Sequence, residues 1–324
     1  MLKIILAFFM TLIITPAVAN NKSDGSQVIN IKPESLAVEM VPDISYSFTQ
    51  NIMGRPLQLS MDLLKPYTTT PLPVVVFITG GGFIDAPKSK FIGQRVDIAR
   101  AGYVVASINY RVVPTMIFPG MLEDAKTAVR FLRANAEKLG IDPSRIAVMG
   151  ESAGGYLAAM VATTNGVKKF ETEEYSEQSS DVQAAIDLYG LSDLTAVGAD
   201  FSDDIKEAHK SAAIPEAMLV NGIPWQGGGS ILSNPEKATA ANPLTYISDR
   251  TPPFLLMHGD ADNVVSPSQT KILHKALLSH HIDSTRYVVH GADHAGLMWY
   301  QPEITSIVIP VSYTHLTLPT KRIV

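Results

Sequence analysis

The chain has 324 residues, no cysteine and a formal charge of −5. That length buries a full core without disulfide help. An acidic balance with no basic run argues against nucleic acid or an anionic membrane as a partner, and no fixed-period repeat or low-complexity tract is present.

Residues 1–19 read as a secretory signal: Lys3 is the positive n-region, residues 4–14 form an apolar run, and Ala17-Val18-Ala19 is a small-x-small cleavage site. The run is short for a span and stops at Pro16, so export without stable membrane insertion after signal removal is expected. Residues 20–43, polar and carrying Pro33 and Pro42, read as an N-terminal arm.

A single α/β domain is expected over residues 44–309. Residues 44–49 and 57–63 flank Asn51-Ile52-Met53-Gly54 and predict an antiparallel hairpin. Apolar runs at 74–78, 103–108, 146–149, 182–189, 254–258 and 285–289 then alternate with helical patterns. The clearest of these is Leu122, Ala125, Val129, Leu132, Ala136 and Leu139, ended by Gly140. Pro267 follows the capping residue Ser266 and opens another helix, with Gln269 able to close a capping box. Strands that are apolar without period-2 alternation predict a mostly parallel sheet covered by helices on both faces. Residues 192–251 are too long for one crossover and read as a lid-like insertion. Residues 311–320 back-translate in one frame into the transposon-end adapter of sequencing libraries. Residues 310–324 are therefore read as a non-native read-through tail, and 302–309 as the start of a truncated last helix.

The chemistry centres on Gly150-Glu151-Ser152-Ala153-Gly154, a Gly-x-Ser-x-Gly between a strand and a helix. The flanking glycines permit a sharp turn that lifts the Ser152 hydroxyl clear of the sheet edge, and the following helix aims its free N–H groups at the same place. A serine needs a base. His294 is the candidate, in a small-residue loop after the last strand, with His290 nearer the strand end read as structural. The two histidines lie four apart, but Gly291 after a strand argues against a helical metal pair, and neither metal nor cofactor is expected. Asp262 is the candidate orienting acid; Asp260 is its rival, Asp193 a weaker alternative, and Asp293 a loop-stabilising residue. Gly80-Gly81-Gly82 follows the first long strand without a phosphate-loop Lys or a dinucleotide fingerprint. Oxyanion donors are expected from Gly81 and Gly82 together with Ala153. Phe83, Glu151, Trp225 and Trp299 are candidates for the substrate pocket; Trp225 reads equally as an anchor pinning the insertion.

Taken together, Thr79-Gly80-Gly81-Gly82-Phe83, Asn109-Tyr110-Arg111, Phe118-Pro119 with Asp124, Gly150 to Gly155, His258-Gly259-x-x-Asp262-x-x-Val265 and His294 resemble the α/β-hydrolase carboxylesterases, nearest the bacterial feruloyl and acetyl esterases and the hormone-sensitive-lipase-like enzymes. The resemblance covers roughly residues 44–309. It implies an α/β-hydrolase fold, a Ser152/Asp262/His294 triad, an acyl-enzyme, and a small-molecule or polysaccharide-linked ester as substrate. A serine peptidase of the same fold and a non-catalytic binding protein are the alternatives. The chain departs from the family at Thr79, where a histidine usually braces the glycine loop by hydrogen bonds; a threonine hydroxyl can still donate one, and the effect of the change on the loop is left open.

Overall fold

The computed structural model describes residues 26–33 and 35–317, so the expected signal segment lies outside the described residues. Residues 26–33 form no helix or strand. The body that starts at Ser35 is built on one eight-stranded sheet.

In chain order the body runs β1 (Val38–Gln50), β2 (Pro56–Pro66), β3 (Leu72–Ile78), α1 (Ile92–Arg100), β4 (Val104–Ile108), α2 (Gly120–Ala134), α3 (Ala136–Leu139), β5 (Ile141–Glu151), α4 (Ala153–Thr163) and β6 (Ala184–Leu188). After these come the short helices α5 (Asp203–Ala208), α6 (Pro215–Asn221) and α7 (Pro235–Ala240), then β7 (Phe254–Gly259), α8 (Ser268–Ser279), β8 (Ser284–Val289) and α9 (Pro302–Thr317). The sheet order is β1-β2-β4-β3-β5-β6-β7-β8. The β1/β2 and β2/β4 pairs are antiparallel and every other pair is parallel. This is the α/β-hydrolase fold, with the expected hairpin at one edge.

Strand β3 shows why the central strands are apolar throughout. Val74, Val76 and Ile78 belong to one core and Val75 and Phe77 to the other, all fully buried. A strand covered on both faces has no solvent side on which to place polar residues. One core receives α2, α4 and α8 through residues such as Leu122, Leu157 and Leu273; the opposite core receives α1 and α9 through Ile98 and Ile304. Helix α4 is buried along its whole length, so it carries no amphipathic stripe.

Two boundaries differ from expectation. Strand β1 begins at Val38, inside the stretch read as an arm. Its register shifts between Val41 and Ile44, where Pro42 and Asp43 interrupt the alternation and Asp43 takes a φ of 55°. The long helical pattern ending at Gly140 is split at Asn135, whose side-chain amide donates to the Phe131 carbonyl at 2.9 Å. Asparagine competes for backbone partners in this way and interrupts helices. The last helix begins at Pro302 and its backbone continues to Thr317. No helix among the described residues is long and apolar enough to cross a membrane.

Candidate active site

Ser152 stands between β5 and α4 with φ 54° and ψ −123°, a strained setting for a residue with a side chain. The turn is tight enough to exclude side chains at both flanking glycines. A Cβ at Gly150 would lie 2.1 Å from the Gly154 carbonyl oxygen, and one at Gly154 would lie 2.0 Å from that of Ile78. The strain is held by neighbours: Ser152 N–H donates to the Leu188 carbonyl at 2.9 Å, and the Ser152 carbonyl accepts the Tyr156 N–H at 3.0 Å.

The structure brings the three candidate side chains into one chain of hydrogen bonds. Ser152 Oγ lies 2.8 Å from His294 Nε2, and His294 Nδ1 lies 2.7 Å from Asp262 Oδ2. With Nδ1–H donating to the carboxylate, Nε2 is left to accept the serine proton. Asp262 is 4% exposed. Its Oδ1 accepts the N–H groups of Val264 and Val265 at 2.9 and 3.0 Å. Burial pushes its pKa up, but hydrogen bonds from His258 and His294, the charge of His294 and the Val265 N–H outweigh burial. The carboxyl is held well below the usual carboxylate range.

His258, unassigned from sequence, is fully buried behind this acid. Its Nε2 lies 3.0 Å from the Val265 carbonyl and 3.3 Å from Asp262 Oδ2. Its Nδ1 lies 3.1 Å from Thr270 Oγ1, which in turn accepts Arg286 Nε–H at 3.0 Å. The Val265 carbonyl can only accept, so His258 presents Nε2–H to the acid loop. Tyr189 was also unassigned. It meets the His294 ring edge-on at 5.0 Å, and Trp299 backs it at 4.4 Å. The signal for both was their position at the end of an apolar strand, where ligands meet parallel sheets.

The rival residues have other partners. Asp260 binds His290 Nδ1 at 2.8 Å and the Gly291 N–H at 2.6 Å, while the His290 side chain is 97% exposed. Asp193 caps Thr195 through both its N–H and its hydroxyl. Asp293 lies over Gly296, and its carbonyl accepts the Trp299 indole N–H at 2.8 Å. Among the described residues no cluster of His, Asp and Glu is arranged to hold a metal.

The glycine loop lies beside the elbow because β3 and β5 are paired, Ile78 opposite Gly150. Gly81 and Gly82 have φ of 152° and 60°, and Pro215 at the start of α6 lies 3.5 Å from where a Cβ on Gly82 would sit. Ala153 is the first residue of α4, where helix N–H groups have no partner within the helix. Thr79 does not brace the loop through its side chain: its buried hydroxyl has no hydrogen-bond partner among the described residues. Its carbonyl instead accepts the Tyr110 hydroxyl at 2.9 Å, and the next N–H, of Gly80, donates to Glu151 Oε1 at 2.5 Å.

The pocket candidates separate. Phe83 and Trp299 are each 1% exposed, Phe83 edge-on to Tyr156 and Trp299 against Tyr189, so packing occupies their faces. Glu151 is 5% exposed and bound to the glycine loop. Trp225 is 78% exposed in a short turn after α6, which removes its reading as an anchor.

The BD-FAE family model matches residues 61–277, and the chain belongs to that family. Esterase LipC of Mycobacterium tuberculosis (strain ATCC 25618 / H37Rv) is 31% identical over 210 residues, 64% of this chain and 48% of LipC. The chain spans about half the length of the curated relatives it matches. A truncated carbohydrate esterase from gut microbiota superposes with a TM-score of 0.72 at 24% identity, covering 86% of this chain and 99% of that one. A bifunctional GH43-CE protein of Bacteroides eggerthii gives 0.72 at 28% identity over 85% of this chain and 38% of its own.

Proposed function

We propose that this chain is an exported serine carboxylic-ester hydrolase. The observation that carries the reading is the unbroken line from Ser152 Oγ through His294 to Asp262, with contacts of 2.8 and 2.7 Å. His294 Nε2 takes the Ser152 proton as Oγ bonds to the ester carbonyl carbon. The resulting oxyanion is met by the N–H groups of Gly81, Gly82 and Ala153. Collapse breaks the bond to the alcohol, which leaves with the proton from His294. Water, deprotonated by the same imidazole, then releases the acid from Ser152. Asp262 keeps the imidazole in the right tautomer and stabilises its charged form.

The substrate class is a short-chain or polysaccharide-linked ester, such as an acetyl or feruloyl group. Membership of the BD-FAE family and the carbohydrate-esterase likeness support it, and the leader read at residues 1–19 supports a secreted or periplasmic place of action. The test is hydrolysis of p-nitrophenyl acetate, butyrate and octanoate beside Ser152→Ala. Turnover that disappears in the variant is expected, with rate falling as the acyl chain lengthens. A folded protein that hydrolyses none of the three, or a Ser152→Ala variant that keeps its rate, overturns the reading.

A further inference from the structure

The peptide unit between Thr79 and Gly80 is gripped at both ends. Its carbonyl accepts the Tyr110 hydroxyl at 2.9 Å, and its N–H donates to Glu151 Oε1 at 2.5 Å. Both partners are buried, Tyr110 at 4% and Glu151 at 5% exposure. A peptide is planar, so fixing its oxygen and its N–H fixes the plane, and with it the direction in which the chain enters Gly81 and Gly82. The contact is close on the elbow side as well: a Cβ at Gly80 would lie 2.9 Å from both Glu151 Oε2 and Ser152 Cβ. The Thr79 side chain supplies no hydrogen bond to share this task.

We infer that Glu151 and Tyr110 act as a two-sided clamp on the Thr79–Gly80 peptide, making Glu151 a positioning residue that holds the oxyanion donors in register with Ser152. The inference rests on the esterase reading of the same site, and it moves Glu151 from the pocket wall to the frame of the oxyanion loop. The geometry explains why the residue between Gly150 and Ser152 is acidic. Glu151 ends β5, which lies beside β3, so its side chain spans from the elbow to the first free N–H past β3.

The charged and titratable groups facing this carboxyl are His294, Lys90, Tyr110, Tyr189 and Tyr300. Burial raises its pKa to about 7, against the lowering pull of the Gly80 N–H, the charges of His294 and Lys90, and the Tyr189 hydroxyl. The clamp therefore grips hardest above neutral pH, where the carboxyl is charged and hydrogen bonds to it are strongest.

The experiment compares Glu151→Ala, Glu151→Gln and Tyr110→Phe with wild type and Ser152→Ala, in the full chain, on p-nitrophenyl acetate. Displaced donors act on the transition state, so Glu151→Ala is expected to lower kcat by about a hundredfold with KM changed by less than about threefold. Tyr110→Phe is expected to lower kcat by about tenfold, and the double variant by less than the product of the two, because both grip one peptide. Glu151→Gln keeps an acceptor oxygen and is expected to recover most of kcat, with less loss than wild type on going from pH 8 to pH 6. The Gly80 amide gives a readout free of turnover: its protection from hydrogen exchange is expected to fall in Glu151→Ala and persist in Glu151→Gln. Glu151→Ala with wild-type kcat beside an inactive Ser152→Ala overturns the clamp and leaves the esterase reading standing. A wild-type protein without turnover but with Gly80 protection lost in Glu151→Ala does the reverse. If Glu151→Ala does not fold, a Tyr110→Phe variant with wild-type kcat and unchanged Gly80 exchange overturns the clamp.

Discussion

Two carboxyls flank Ser152, one in the loop after β7 and one at the end of β5, and they are sealed from water to nearly the same degree: Asp262 is 4% exposed and Glu151 is 5% exposed. Their charge states are nevertheless set in opposite directions. Asp262 is met by the N–H groups of Val264 and Val265, by His294 Nδ1 and by His258 Nε2, and is held well below the usual carboxylate range. Glu151 receives one backbone N–H and the Tyr189 hydroxyl, burial prevails, and its pKa is raised to about 7. Burial disfavours the charged form of both; the number of donors decides which keeps its charge. Under the proposed mechanism, the carboxyl beside His294 thus keeps its charge, while the carboxyl beside the glycine loop titrates near neutrality.

The largest effect expected from breaking this contrast is at Asp262. Asp262→Asn keeps the shape but can present an amide N–H to His294 Nδ1, favouring the wrong tautomer. A fall in kcat/KM of about 10³–10⁴ is expected. Steady-state hydrolysis of p-nitrophenyl acetate measures it, and a loss under tenfold would assign the orienting role elsewhere. A smaller effect is expected behind it. His258→Phe removes one donor from the acid loop while keeping a ring in the space. Losing one such hydrogen bond is worth about 1.4 kcal/mol, or roughly tenfold in kcat. Steady-state hydrolysis of p-nitrophenyl acetate measures this too, and an unchanged kcat would show that the acid loop is held without His258.

How much of this was legible beforehand depended on how local the determinant was. Ser152 was legible because the elbow is a five-residue device, and His294 and Asp262 because both follow apolar strand runs whose ends share one sheet edge. The parallel strands were legible because burial on both faces leaves continuous apolar runs. The start of β1 was not, since Pro42 and the positive φ of Asp43 break its alternation at a bulge. Nor was the idle Thr79 hydroxyl, or the bracing by Tyr110 and Tyr189. Those contacts join elements far apart in sequence, and an aromatic residue at a strand end looks the same whether its ring fills core or carries the histidine loop.

A third carboxyl sharpens the donor rule with the least disturbance of chemistry. Asp187 on β6 is fully buried; its Oδ1 accepts the Gly190 N–H at 2.8 Å, and its Oδ2 has no partner among the described residues. With a single donor, burial raises its pKa to about 7. Between the unfolded value near 4 and this folded value, the native state keeps a proton that the unfolded chain has released. Stability from this group therefore falls as pH rises through that window and is lowest above about 7. Asp187→Asn retains the acceptor for Gly190 and cannot ionise, but it buries an amide N–H where Oδ2 stood. The expected net result is a gain of roughly 1–2 kcal/mol at pH 8 and none, or a small loss, at pH 5. Urea unfolding at the two pH values measures the difference. A variant whose stability keeps the wild-type pH slope would show that Asp187 is already charged in the native state, and that one backbone N–H is enough to hold a buried carboxylate.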